Sequence, residues 1–572
     1  YNTSTPENQS YLSHDSVFVN LTTTDANDHY AFTEFNDDLL LWMRMDDVDA
    51  SGDPQDSSRY GTHGTVEGNA AQTDAGYFGK GFEFDGDGDY IEFLDYEYLD
   101  NYTFSSWIKP EGPKGFIYQE KGLVMPVYNW LLGIAWNGSQ IVYSEVATTE
   151  SPMEYTTLTY DVADTQWHHV VARKEGGYGG TMTLFVDGVS RDSGTAMLPA
   201  YGVGFSGRFV GYGYDTEWLW FGDGISRAFN GSIDEFLIFN RSLSLEEIQS
   251  LYNASKYQYE HNFTGLSDGS HNFTGYTVDK AGNAAQEDQH LVTLDTITPT
   301  LNVYTPANYS WYNETGLGFN VTCSEAGSAM IVPDLNESLV AWWRFDDLNA
   351  SYDPQDYLGT NHLDGQDDAN WTSSGRFGKG YEFDGDGDYL TGSETPPISG
   401  SLTVSLWFRR AGVSGGSGSD ARHQLINGIT GATSRIMVFK SADGYQIQFI
   451  NSSGSSISHT DGTDSPLDEW VHIAMSYDER DGYGRFYLNG SKSTEWFIGD
   501  GLSTGSGVVS MGALSPVNYC ANGTLDEVML FNRTLNDSEI LALYNATKIE
   551  FTQELSESTH NYTAYCQDRA AN

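Results

Sequence analysis

Two near-identical stretches, Glu83-Phe84-Asp85-Gly86-Asp87-Gly88-Asp89 and Glu382-Phe383-Asp384-Gly385-Asp386-Gly387-Asp388, set acids at alternate positions in a glycine-rich turn. Hard oxygen donors spaced this way are what Ca2+ takes, and Asp85, Asp87 and Asp89, with Asp384, Asp386 and Asp388, are candidate ligands. No Glu follows at the twelfth position to complete a helix-loop-helix calcium loop. The turn geometry alone also explains Asp and Gly here, because both residues favour tight turns. Trp167-His168-His169-Val170 and Trp470-Val471-His472-Ile473 share one His, and no Ser or Cys nucleophile accompanies it at a useful spacing. Nucleophilic catalysis therefore has no constellation in this text.

The asparagines carry a second kind of chemistry. Of 33 Asn, 23 stand in Asn-x-Ser/Thr, where chance at this Ser/Thr content gives about 6. Candidate glycosylation sites are Asn8, Asn20, Asn101, Asn137, Asn230, Asn240, Asn253, Asn262, Asn272, Asn308, Asn313, Asn320, Asn336, Asn370, Asn451, Asn489, Asn522, Asn532, Asn545 and Asn561. Only Asn137, Asn230, Asn489 and Asn522 sit in Asn-Gly, where a turn accounts for the residue. The density predicts an extracellular, cell-surface protein carrying N-linked glycans.

Charge narrows the partners. Asp and Glu total 80 against 28 Lys and Arg, a net charge of −52 over 572 residues, so nucleic acid and anionic membranes are excluded as targets. No run of 18 apolar residues is present to span a bilayer. Aromatic residues at 14% supply material for packed cores and exclude a disordered acidic tail.

The elements that must position these residues occur twice. Leu40-Leu41-Trp42-Met43-Arg44-Met45-Asp46-Asp47 returns as Val340-Ala341-Trp342-Trp343-Arg344-Phe345-Asp346-Asp347, and Phe78-Gly79-Lys80-Gly81 returns as Phe377-Gly378-Lys379-Gly380. Gly231-Ser232-Ile233-Asp234-Glu235-Phe236 returns as Gly523-Thr524-Leu525-Asp526-Glu527-Val528. Alternation through Val404, Leu406 and Phe408, and through Val471, Ile473 and Met475, predicts strands. Asp187-Gly188 and Asn489-Gly490 predict hairpin turns. One short helix closes each copy, with Ser244 or Asn536 as N-cap, Glu247 or Glu539 three residues on, and Leu243 or Leu535 stapling onto Ile248 or Ile540.

With its Gly-Lys-Gly-Phe/Tyr-x-Phe-Asp-Gly run, Trp-x-His strand and final Asp-Glu strand, the text over roughly 38–255 and 338–548 resembles the laminin G-like, concanavalin A-like jelly roll. That resemblance implies an all-β fold of two antiparallel sandwiches whose first and last strands lie side by side. It also implies structural Ca2+, and it places a second candidate group where those strands meet: Asp46, Asp47 and Asp53 near Asp234, with Asp346, Asp347 and Asp353 near Asp526. Glucanases of this fold carry Glu-x-Asp-x-(x)-Glu; here the last Glu is missing and glycines interrupt the strand, so no enzyme is expected. Glycan binding would use aromatic platforms, with Trp130, Trp136, Trp218, Trp220, Trp371 and Trp496 as candidates.

The flanking text resembles bacterial and archaeal immunoglobulin-like repeats of surface proteins: Leu266 to Asn283 reads as the end of a module, Thr298 to Pro306 as the start of one. Either a whole module joins the jelly rolls, or each jelly roll is inserted in a split module. Cys323 and Cys566 are both Thr in the first copy, at Thr23 and Thr277. That matched exchange favours insertion and predicts a Cys323 to Cys566 disulfide; Cys520 is then free or intermolecular. The expected domains are 1–37 with 256–296, 38–255, 297–337 with 549–572, and 338–548. The strand text His290 to Leu294 has no counterpart after Asn572, which suggests an excerpt of a longer array or a strand-exchanging subunit. The expected function is a non-enzymatic surface stalk, layer or filament with adhesive potential, whose partners are copies of itself or neighbouring repeats. The alternative is a glycan-binding lectin region of a larger secreted hydrolase.

Overall fold

The computed structural model describes residues 1–572 apart from 2–3, 94–98, 125–127, 149–153, 163, 198–204, 214–226, 315, 325–328, 393–397, 399, 413–422, 429–436, 442–443, 452, 463–465, 500, 503–507 and 514–518. The protein is all-β, with two short helices among the described residues. It forms two compact units, one of Tyr1–Pro6, Ser16–Thr264 and His271–Leu291, the other of Glu7–Asp15, Gly265–Ser270 and Val292–Asn572. The division moves Glu7–Asp15 into the second unit, where Tyr11 and Leu12 pair in parallel with Thr293 and Leu294.

Each unit contains a jelly roll of two facing antiparallel sheets. In the first, the strand Tyr102–Pro110 lies between His168–Glu175 and Asn230–Phe239. The last strand in turn pairs with the first, Phe236 opposite Met43 and Ile238 opposite Leu41. In the second, Leu402–Arg410 lies between Trp470–Asp478 and Asn522–Phe531, and Val528 faces Trp343. Inward residues of both sheets make one core per jelly roll, Phe82, Phe104, Ile233 and Phe236 among them in the first, Phe383, Val404, Leu406 and Leu525 in the second. Asp187-Gly188 and Asn489-Gly490 turn with positive φ at both residues, the conformation that matches strand twist in a two-residue hairpin.

The closing helices are Leu245–Asn253 and Asp537–Tyr544, each with a complete capping box from Ser244 to Glu247 and from Asn536 to Glu539. Their apolar faces pack against the outer side of the jelly roll, Ile248 and Leu251 with Trp42 and Phe239, Ile540 and Leu543 with Trp342 and Phe531.

The segments before and after each jelly roll pair with each other. Ser16–Leu21 is antiparallel to Tyr259–Thr264, and His29–Phe35 to Gly269–Asp279. In the second unit Gly316–Ser324 pairs with Lys548–Glu554, and Ala329–Leu335 with Tyr562–Asp568. Adjacent first and last strands bring the ends of each jelly roll together, which is the geometry insertion into another domain needs. Cys323 and Cys566 are joined as a disulfide with Cα atoms 6.1 Å apart. Cys520 is a buried thiol outside any disulfide, so an intermolecular bridge through it would require the chain to open locally.

Candidate functional site

The acidic edge where first and last strands meet is a set of hydrogen-bonded locks. Asp234 Oδ2 accepts from the backbone N–H of Tyr77 and Phe78 at 2.8 and 2.9 Å, and its Oδ1 accepts from Glu235 N at 2.8 Å. Asp526 Oδ2 accepts from Phe377 N at 2.9 Å and its Oδ1 from Glu527 N at 2.7 Å. Asp46 Oδ1 takes Lys80 N at 2.9 Å while Arg44 lies 3.4 Å from Oδ2 and 3.1 Å from Asp47. Asp346 takes Lys379 N at 2.7 Å, with Arg344 reaching Asp346 and Asp347 at 3.5 and 4.0 Å. These carboxylates hold the Gly-Lys-Gly loop against the last strand. Glycine at 79 and 378 is required by the close approach: a Cβ there would fall 2.2 Å from Asp46 or Asp346 Oδ1.

The next residue of each last strand is a buried carboxylate held by indole. Trp42 Nε1 donates to Glu235 Oε2 at 2.9 Å, and Trp342 Nε1 to Glu527 Oε2 at 2.5 Å. Burial pushes Glu235 up to about 8, against the hydrogen bonds from Tyr30 and Trp42 that favour the anion. Burial likewise raises Asp234, Asp526 and Glu527, and lifts Asp346 to about 7.

In the Asp-Gly-Asp-Gly-Asp turns the carboxylates serve the loop as well. Asp85 Oδ1 accepts from Asp87 N at 2.8 Å and Asp384 Oδ1 from Asp386 N at 2.7 Å. The third Asp is buried and closes the turn, Asp89 Oδ2 accepting from Asp85 N and Asp388 Oδ2 from Asp384 N, both at 2.7 Å.

The shared His does find a serine. His169 Nε2 is 2.8 Å from Ser105 Oγ, and His472 Nε2 is 2.8 Å from Ser405 Oγ, between neighbouring strands. All four residues are buried, and burial holds His169 down to about 4 and His472 to about 3. Each pair bridges two neighbouring strands inside the sheet. Periodicity hid them because Ser105 and Ser405 sit in alternation that reads as outward-facing.

Of the aromatic candidates, Trp136 belongs to the first core and donates Nε1 to Gly112 O at 3.0 Å, which removes it as a platform. Trp496 stacks on His459 with centroids 4.7 Å apart. Trp371 is half-buried beside exposed Tyr352, centroids 6.2 Å apart, with Lys379 Nζ 5.4 Å above its ring. The side chain of Trp130, and Trp218 and Trp220, lie outside the described residues.

A family model described as the concanavalin A-like lectin/glucanases superfamily matches residues 85–249 and 384–541. The chain belongs to this superfamily. Both matched stretches fall within the two jelly rolls, so this concanavalin A-like protein carries the domain twice. Among solved structures it is similar to domain 4 of an extracellular arabinanase from Geobacillus stearothermophilus in complex with arabinotriose, at 19% identity over 38% of this chain and 100% of that one, TM-score 0.30. It is similar to mouse laminin alpha1 domains LG4-5 at 9% identity over 95% and 98%, TM-score 0.21. A carbohydrate-binding module of a Ruminococcus gnavus sialidase, bound to sialyllactose, is similar at 14% identity over 26% and 84%, TM-score 0.22. No curated protein matches the sequence. Among the described residues no helix is long and apolar enough to cross a membrane.

Proposed function

We propose that the chain is an extracellular surface glycoprotein in which jelly rolls, set within immunoglobulin-like sandwiches, repeat in tandem and stack into a stalk, layer or filament, binding rather than cleaving what they meet. One observation carries the stacking. In the second unit, Glu7–Asp15 is docked: Glu7 accepts from Thr372 Oγ1 at 2.6 Å, its N–H donates to Ser373 Oγ at 3.3 Å, and the Arg569 guanidinium lies 4.1 Å from the Tyr11 ring centroid. The equivalent segment of the second repeat, 300 residues on, is bare. Tyr309 is 95% and Trp311 98% exposed, with Tyr312 and Tyr304 also exposed. Aromatics clustered on the surface in this way mark an interaction face. The occupant that fits is another repeat, neighbouring or in a second copy, offering the face that Thr372 offers to Glu7–Asp15.

Light scattering of the full chain over a concentration series tests the reading. Association that rises with concentration and is lost in Trp311→Ser/Tyr309→Ser is expected; a monomer at every concentration contradicts it. The half-exposed Trp371 beside Tyr352 supports a second reading, a glycan-binding surface on the second jelly roll. Micromolar binding on a glycan array that Trp371→Ala abolishes would favour it.

A further inference from the structure

Two arginines stand side by side in the second unit, in a chain that has 28 Lys and Arg against 80 Asp and Glu. Gly378 N donates to Arg569 O at 2.8 Å, which ties the loop carrying Arg376 to the turn carrying Arg569. Both residues are half-buried. The Arg376 guanidinium lies 4.6 Å from the Trp407 ring centroid and 5.3 Å from that of Phe377. Arg569 lies over the Tyr11 ring, with Nη1 donating to the Tyr11 hydroxyl at 3.3 Å.

What this pair lacks is a carboxylate. Among the described residues Arg376 has no hydrogen-bond or ion-pair partner, and the Nε of each arginine is buried without an acceptor. Asp526 faces Arg376, but its oxygens already accept from Phe377 N and Glu527 N. Burial, and then the Arg569 charge, push Arg376 down to about 10. Two guanidinium groups held together, partly out of water and against aromatic rings, need a negative partner.

The first unit shows the same place without that need. Tyr77 and Lys280 hold the positions of Arg376 and Arg569, and Gly79 N donates to Lys280 O at 3.2 Å. Tyr77 stacks on Trp107 with centroids 3.5 Å apart, and Lys280 Nζ lies 2.9 Å from the Tyr77 ring centroid. A single cation there faces one ring and two acids, Asp28 and Asp234. The second copy keeps Asp526 for Asp234, but the sequence has Ser328, outside the described residues, at the position of Asp28. The exchanges add a positive charge and remove a negative one, against the acidic trend of the whole chain.

We propose that Arg376 and Arg569 form an oxyanion-binding site in the second unit, taking one carboxylate, sulfate or phosphate group, and that the first unit has none at the matching place. Guanidinium suits such a ligand because its forked N–H donors match two oxygens of one anion.

Calorimetric titration of the full chain with sodium acetate, sulfate and phosphate, each balanced to constant ionic strength with sodium chloride, tests the site. One saturable site per chain in the millimolar range is expected for at least one of the three, with a rise in melting temperature over chloride alone. The tightest of the three identifies the group. Arg376→Tyr/Arg569→Lys, which has a folded precedent in Tyr77 and Lys280, should abolish both effects. Arg376→Lys keeps the charge and loses the fork, and should weaken binding about tenfold without lowering the melting temperature in chloride. Absence of saturable binding of all three anions by the native chain overturns the proposal, and so does an Arg376→Tyr/Arg569→Lys variant that binds as the native chain does.

Discussion

Arg241 clasps Glu247 through two parallel bonds, Nη1 to Oε2 at 2.8 Å and Nη2 to Oε1 at 2.7 Å, where the jelly roll meets its flanking strands. Arg533 and Glu539 repeat the clasp at 3.0 and 2.6 Å. Each arginine also reaches a flanking strand, Arg241 to Thr33 O and Arg533 to Pro333 O, both at 3.3 Å, and Tyr259 OH donates to Glu247 at 3.1 Å. Glu247 and Glu539 are buried. Removing one partner strands a buried charge, so Arg241→Ala or Arg533→Ala should cost about 3–5 kcal/mol in denaturant unfolding. A loss near that of an exposed ion pair would show that the clasp does not join jelly roll and flanking sheet.

The buried acids predict stability that falls as pH rises from mild acid to about 8. Glu235 is raised in the folded chain to about 8, so its contribution is complete below its unfolded value and is lost as pH rises toward 8. His169 and His472 act oppositely: held down to about 4 and 3, their contribution is complete above the unfolded value and lost as pH falls below it. Melting temperature should therefore peak in mild acid, and Glu235→Gln should flatten the fall between mild acid and about pH 8. An unchanged fall in that variant contradicts the assignment.

The disulfide staples only the second pair of flanking sheets, since its counterparts in the first copy are Thr23 and Thr277. Cys323→Ser/Cys566→Ser should destabilise that unit by about 2–5 kcal/mol. The first unit, followed by hydrogen exchange in the same sample, should keep its protection.

Glycan occupancy should follow side-chain freedom. Asn253 is buried with Nδ2 donating to Asp28 at 3.0 Å, and Asn20 is buried with Oδ1 accepting from Gln258 at 2.8 Å. Asn8, Asn240, Asn262, Asn308, Asn370 and Asn532 are exposed. Glycopeptide mass spectrometry should find the exposed six occupied and Asn20 and Asn253 empty; the reverse pattern would refute the link.

Much of the fold was legible because its punctuation is local. Ser244 with Glu247, and Asn489 with Gly490, define their elements within four residues, and the pairing of first and last strands followed from the laminin G-like resemblance. What stayed hidden depends on partners distant in sequence. Asp46 and Asp234 stand out as candidate ion ligands by type, and only the fold shows that one oxygen of each accepts from the backbone of residues 77–80. The Arg241 clasp looks like ordinary surface charge until the flanking strand is placed over it.

Self-association is the centre of the account, and imaging measures it most directly. Negative-stain microscopy of the glycosylated full chain, at concentrations where scattering detects association, should show linear polymers with a regular repeat that disappear in Trp311→Ser/Tyr309→Ser. Dispersed single chains at all concentrations, with the aromatic face open, would contradict it.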